Sequence, residues 1–383
     1  MMRKIECGSG QKLKFVTLFP DCTNTEIIKD VGQIPYWLAK KFRLDSSLVS
    51  CRVEPGGEYI AQFPELKVKK IPGFLGSSKM AGFVYILLNA KKIDWLNIYH
   101  FGRCTLYWGK LYKLLNKEGK IYRRFDMNYR SCRDVKLNFY KRKIFQKCIK
   151  QADIVSVESR SVISKIEKYA DKNIAYIPSG YTEPEIIAAS KFVRNKENIF
   201  ITVGRLGIRE KATEILLEAF AKVADTSTLR SWNLVLVGSI EKDFEVYIER
   251  FYQKYPLLKE RVVFTGNIAS REKLFSIYEK AKVMILPSRS ESFGIVLVEA
   301  LSRGCRIIGT KEIPPIKEII NDGKYGYSVA ADDVDGLAKA MVRITEHDYS
   351  EDAIEEISQY AKDRFSWGFI CEQLYSLMVA TDE

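Results

Sequence analysis

Two carboxylates, Glu291 and Glu299, stand with seven residues between them in LPSRSESFGIVLVEALSRG (286–304). The run KVMILP (282–287) reads as a strand ending at Pro287, followed by a polar turn and a helix from near Gly294. Glu291 then lies in the loop before that helix, and Glu299 about one and a half turns inside it. After Ser292, the backbone N–H groups of Phe293, Gly294 and Ile295 would point at negative charge placed on the helix N-terminus. Carboxylates accept from hydroxyls and make poor phosphate partners. One ligand lying across this N-terminus would therefore run sugar, diphosphate, ribose. The surroundings of Glu299 are so apolar that a solvated helix face fits it badly. Upstream, GRLGIREKATEILLEAF (204–220) places Arg205 and Lys211 around a short loop between a strand and a helix. Two cations there suit a diphosphate, although ordinary surface charges at a helix start fit this segment alone equally well.

Both segments belong to a strand-then-helix rhythm. In the first half, strands are expected at 13–19, 47–53, 94–101, 120–125, 153–157 and 173–178. In the second half they are expected at 198–204, 232–238, 261–266, 282–287 and 305–309. Short apolar runs ending at Gly or Pro, alternating with helical stretches of ~10–16 residues, read as buried parallel strands with crossover helices. Two such blocks imply two doubly wound α/β domains. The boundary is expected within 179–198, giving a first domain over 1–185 and a second over 186–365. A final apolar helix beyond 366 is expected to pack back on the first.

Residues 199–330 resemble the C-terminal domain of family 4 retaining glycosyltransferases. The matching pieces are V-G-R-L, E-K-A, L-L-E-A-F, L-V-G, V-V-F-T-G, P-S-R-S-E-S-F-G-I-V-L-V-E-A and N-D-G-K-Y-G-Y, in the family's order and spacing. The resemblance implies the GT-B fold, two Rossmann-like domains facing across a cleft, and transfer of a sugar from a UDP- or GDP-linked donor with retention and without a metal or other cofactor. It implies that Arg205 and Lys211 bind the donor diphosphate, Glu291 the sugar hydroxyls and Glu299 the ribose, with backbone around Phe264–Gly266 near the base. Asp333 and Asp335 form an Asp-x-Asp pair, but they are expected to cap the following helix.

The first half would then choose the acceptor. Gly32 is expected at a helix start after the first strand, without the paired glycines common in the family. His100 and Asp126 close strands whose carboxyl ends should face the ligand crevice. Either could take a proton from an attacking hydroxyl, and structural roles remain open for both. The family commonly has His where Asp126 stands. Arg123 and Arg124 are candidates for an anionic acceptor, with plain surface charge as the alternative.

Charge divides the chain unevenly. Its 383 residues carry net +13, of which residues 1–200 contribute +18 and 201–383 contribute −5; residues 101–150 alone hold +12. Over 135–150, Leu137, Tyr140, Ile144 and Cys148 share one helical face, with basic residues including Lys141, Arg142, Lys143 and Lys147 on the rest. Such a helix suits an anionic membrane surface, or a core-packed helix with a solvated basic back. The longest apolar run, 81–88, is too short to span a bilayer, so membrane contact is expected to be peripheral, on the cytoplasmic face. Eight scattered cysteines without C-x-x-C, and no signal peptide, suggest reduced thiols. A nicotinamide enzyme would want G-x-G-x-x-G after an early strand, which is missing. A nucleic-acid binder has only charge in its favour. A non-catalytic GT-B partner subunit would not need Arg205, Lys211, Glu291 and Glu299 together.

Overall fold

The computed structural model describes residues 12–54, 58–182 and 195–382. The expected boundary at 185/186, and Cys7, lie outside them. The chain divides into two units, Met1–Thr182 with Ser366–Glu383, and Glu183–Phe365.

The first unit is built on seven strands: β1 (Lys14–Leu18), β2 (Asp45–Ser50), β3 (Lys67–Lys70), β4 (Trp95–Tyr99), β5 (Lys120–Phe125), β6 (Ile154–Val157) and β7 (Ala175–Tyr176). They pair in parallel in the order β3-β2-β1-β4-β5-β6-β7. The second unit holds β8 (Glu197–Val203), β9 (Asn233–Val237), β10 (Val262–Gly266), β11 (Ala281–Leu286), β12 (Arg306–Thr310) and β13 (Gly326–Val329), in parallel order β10-β9-β8-β11-β12-β13. Helices cover both faces of sheets of this kind, so the central strands are mostly apolar, with Thr17, Asn97, Arg123 and Arg124 as buried polar exceptions. Two edge strands escaped the apolar pattern. β3 is KVKK and mostly exposed, its lysines blunting an open edge. β13 is the short GYSV at the opposite edge of its sheet. β2 starts earlier and stops earlier than expected, because the Ser50 hydroxyl accepts from the N–H groups of Arg52 and Val53 and turns the chain.

The basic stretch is not one helix. Asn138 donates its N–H to the Asp134 carbonyl, ending Tyr129–Leu137, and its side chain accepts from the Lys141 N–H, starting Phe139–Gln151. The expected stripe is therefore broken. Phe145, Cys148 and Ile149 are buried, while Leu137 and Tyr140 are exposed. Asp333 caps the helix Val334–Ile344 by accepting from the Gly336 N–H, and Asp335 pairs with Lys222.

The helix Glu351–Phe365 packs in the second unit against Ile295–Ser302. The chain then returns, and Trp367–Asp382 packs on Asp30–Phe42 in the first unit. Trp367, Ile370, Leu374 and Met378 join Phe15, Ile34, Trp95 and Tyr122 in one core, and Tyr375 stacks on Phe42 at 4.2 Å. Removing the Trp367 ring from this site should cost about 3–5 kcal/mol. Trp367→Ala is expected to lower the protection of β1 and β4 amides in hydrogen exchange while leaving β8 and β11 unchanged.

Candidate functional site

At the carboxyl edge of the second sheet, β8 runs into Gly204 and Arg205. Arg205 is exposed. A single turn, Arg209–Lys211, follows and is closed by Ala212 in the left-handed region (φ 49°) before the helix Thr213–Val223 begins. The neighbouring strand β11 runs into Ser288–Gly294. The Lys211 ammonium meets a Glu291 carboxylate oxygen at 2.5 Å, with both side chains about one-fifth exposed. The same oxygen accepts from the Ser288 hydroxyl at 2.8 Å, and Ser288 is tied to β12 through its carbonyl, which accepts from Thr310. Phe293 is buried against Phe365. Gly294 turns the chain with φ 83°, and a Cβ there would press on Leu286 and Leu297 at 3.3 Å. The helix Ile295–Ser302 opens without a side-chain cap, so its first N–H groups, with those of Ser292 and Phe293 close by in the chain, present positive potential.

Glu299 lies in a different cluster. It is buried; one oxygen accepts from Arg271 at 2.8 Å and the other from the Tyr278 hydroxyl at 3.1 Å. Burial, then the Glu299 charge, pushes the Tyr278 phenol well up, so it stays a donor. Arg271 and Tyr278 were not legible as partners, because they come from the separate helix Arg271–Lys280. Gly266 ends β10 at φ 70° with open space where a Cβ would stand, and its carbonyl accepts from the Gly238 N–H.

In the first unit, His100 follows β4 in the left-handed region (φ 60°) and is exposed, its ring edge-on to Phe19 and Tyr99. That strained backbone is held from both sides: its N–H donates to the Arg124 carbonyl, and its carbonyl accepts from Arg123. Asp126 is exposed at the end of β5. Gly32 is buried in the first turn of Asp30–Phe42, where a Cβ would collide with the Ile27 backbone, so packing explains this glycine.

Arg123 and Arg124 need correction as surface groups for an anionic acceptor. Both are fully buried. Arg123 donates to the Thr105 carbonyl at 2.7 Å. Arg124 donates to Asp30 at 2.7 Å, Glu158 at 2.9 Å, Ser179 at 3.0 Å and the carbonyls of Ile177 and Pro178. Burial works against the Arg124 charge, but the neighbouring Asp30 carboxylate first of all overcomes it and holds the guanidinium protonated. An outwardly polar pair of residues, R-R before D, gave no sign of this.

Glu158 itself escaped the sequence reading. The β5–β6 register pairs Arg124 with Ser156 and Phe125 with Val157. Asp126 and Glu158 follow directly on the ends of these two strands, and Glu158 accepts from Arg124 at 2.9 Å. Burial, and then the charge of Asp126, pushes the Glu158 carboxyl up to about 8. A carboxyl that binds its proton more tightly folded than unfolded favours folding fully below its unfolded value, near 4.5, and loses that contribution as pH rises through its folded value. Stability should therefore fall between about pH 5 and 8, by at most ~1.4 kcal/mol per pH unit for one proton. Glu158→Gln, neutral throughout, should flatten that slope in urea titrations run across the window.

Comparison with known proteins bears on both units. Residues 184–364 match the family model described as Glycosyl transferases group 1. The uncharacterized glycosyltransferase MJ1607 of Methanocaldococcus jannaschii is 26% identical over 182 residues, 47% of this chain and 44% of that protein. The phosphatidyl-myo-inositol mannosyltransferase of Mycobacterium leprae is 26% identical over 173 residues, 45% and 44% of the two chains. This chain thus spans less than half the length of these relatives. Over the whole chain, the crystal structure of Anabaena Alr3699/HepE in complex with UDP is similar, with TM-score 0.71 at 15% identity, covering 96% of this chain and 100% of that one. The second unit is therefore similar to group 1 glycosyl transferases over nearly its whole length, and the fold is GT-B.

Proposed function

We propose that this protein is a retaining glycosyltransferase of the family 4 type. In this reading it transfers a sugar from a UDP- or GDP-linked donor, without a metal ion, to a lipid-linked or glycan acceptor at the cytoplasmic face of the cell membrane. The observation that carries the reading is the Lys211–Glu291 pair beside the uncapped start of Ile295–Ser302, in the domain that matches the family model. UDP in the structurally similar Anabaena protein supports a nucleotide-linked donor.

The chemistry follows from the placement. Departure of a nucleoside diphosphate builds negative charge on its phosphate oxygens. Lys211, Arg205 and the N–H groups of Phe293, Gly294 and Ile295 would stabilise that charge where it develops. Glu291, ionically tied to Lys211, would accept from sugar hydroxyls, and Ser288 holds the carboxylate in place. Glu299 keeps acceptor capacity for ribose hydroxyls, since each carboxylate oxygen has two lone pairs and Arg271 and Tyr278 use one apiece. Asp126 and His100 end strands on the acceptor side, where either would receive the acceptor hydroxyl's proton or orient the acceptor.

The membrane part of the reading rests on the first unit's surface. Tyr107, Leu114, Leu137, Phe139 and Tyr140 are all exposed, and the helices Arg103–Leu115 and Phe139–Gln151 pack side by side. Cations sit over their rings: Arg103 over Tyr140 at 5.0 Å, Lys110 over Tyr107 at 5.3 Å, and Lys143 and Arg142 over Phe139 at 4.5 and 5.7 Å. Lys147 is exposed on the same helix, while Lys141 is paired with Asp134. Aromatic and aliphatic side chains flanked by cations suit an anionic lipid interface. Among the described residues, no helix is long and apolar enough to cross a membrane.

A thermal-shift screen against UDP, GDP, ADP and TDP tests the donor; a ligand at 100 times its Kd adds ~2.7 kcal/mol of stability. Lys211→Ala and Glu291→Ala are each expected to cut transfer at least ~100-fold, in the range of a lost charge-stabilising donor, with near-native melting. Wild-type turnover in both would end this site assignment. Joint reversal of Lys143 and Lys147 to Glu should weaken sedimentation with anionic liposomes by about tenfold or more, each cation being worth ~1 kcal/mol near such a surface. Unchanged sedimentation would leave the helix a purely structural one.

A further inference from the structure

We infer that Arg289 is a positioning residue for the donor site, clamping the turn that carries Lys211 to the loop that carries Glu291. The inference rests on the donor reading above and adds to it the part that sets the cation's place.

Arg289 joins three chain segments. Its Nε donates to Asp332 at 2.6 Å, in the loop after β13. Its Nη1 donates to the Arg209 carbonyl at 2.6 Å, and its Nη2 to Glu214 at 2.5 Å, in the first turn of Thr213–Val223. Its own backbone N–H donates to the Glu210 carbonyl at 2.8 Å. All three guanidinium nitrogens are thus committed in a single plane, to acceptors that a lysine could not reach together. The side chain is about one-quarter exposed, so these bonds are partly sheltered from water.

The spacing makes the clamp relevant to the site. Arg289 ties to Arg209 and Glu210, and two residues on, Glu291 ties to Lys211. The two loops run side by side in the same direction, cross-linked twice. The held turn has little order of its own. It is one 3-10 turn, with the Lys211 N–H bonded to the Ile208 carbonyl at 3.0 Å and the next residue, Ala212, in the left-handed region. The place from which the Lys211 side chain sets out is therefore governed by Arg289. A diphosphate-binding cation misplaced by an ångström loses much of its effect.

Hydrogen exchange on the full chain, with Arg289→Gln, Arg289→Lys and Asp332→Asn, tests the clamp without any ligand. Amides of residues 207–213 should exchange about tenfold or more faster in Arg289→Gln, less so in the other two, with β8, β9 and β11 unchanged. The second measurement is the affinity of whichever of UDP and GDP stabilises the wild type more. Arg289→Gln should weaken it about tenfold alone but less than about twofold in a Lys211→Ala background, because the two act as one unit. Unchanged exchange at 207–213 overturns the clamp. An equal loss in both backgrounds overturns its action through Lys211. If the wild type binds neither nucleotide, the donor reading fails, and the exchange result still decides whether the clamp exists.

Discussion

Parallel strand pairing is the constraint on which everything else rests here. A parallel strand needs a crossover before its neighbour can begin, so every strand of a sheet ends on the same edge and every crossover starts there. Loops far apart in sequence are thereby gathered into one place. Lys211 and Glu291 are 80 residues apart and in contact, because β8 and β11 are adjacent. Arg289 reaches the loops after β8 and β13 for the same reason. In the first unit the same rule brings Arg124, Glu158 and Ser179 together from the ends of β5, β6 and β7.

The two units use charge differently at these edges. Arg124 is sealed from water among Asp30, Glu158 and main-chain carbonyls. Desolvating such ions costs several kcal/mol each, so removing one partner is far more damaging than the pair is stabilising. That makes Arg124 a structural pin, holding the start of Asp30–Phe42 against the strand ends beneath His100 and Asp126. The Lys211–Glu291 pair is partly solvated instead. Such a pair keeps some contact with solvent, and so stays open to a charged, hydroxylated ligand.

The uneven distribution of net charge gains a location from this. Part of the basic excess of residues 101–150 is consumed internally: Arg123 and Arg124 are buried, and Lys141 is paired. The remainder includes Arg103, Lys110, Arg142 and Lys143, poised over aromatic rings on the outer face of two packed helices. A surface that carries both apolar area and positive potential differs in kind from a merely basic one, since each component alone favours a different partner.

Sequence alone determined the elements whose signal is local. Strands of a parallel sheet are mostly apolar, so β1, β4, β5 and β8 to β12 were legible as runs. The glycine-led helix start after β11 was legible from ESFGIVLVEA, since Gly294 and the apolar residues after it are consecutive. β3 and β13 were not, because β3 is the mostly exposed KVKK and β13 is only the four residues GYSV, neither of which forms an apolar run. The break at Asn138 was hidden because a periodic stripe carries no record of one side-chain cap. Tertiary structure alone decided which polar side chains meet. Nothing in R-R-F-D distinguishes a solvated arginine from one enclosed by residues 94 positions upstream and 34 downstream, and Glu158, Arg271 and Arg289 looked like any other charged residues. Periodicity reports how a residue relates to its neighbours in the chain, whereas the site is made by strand adjacency, which only the assembled sheet defines.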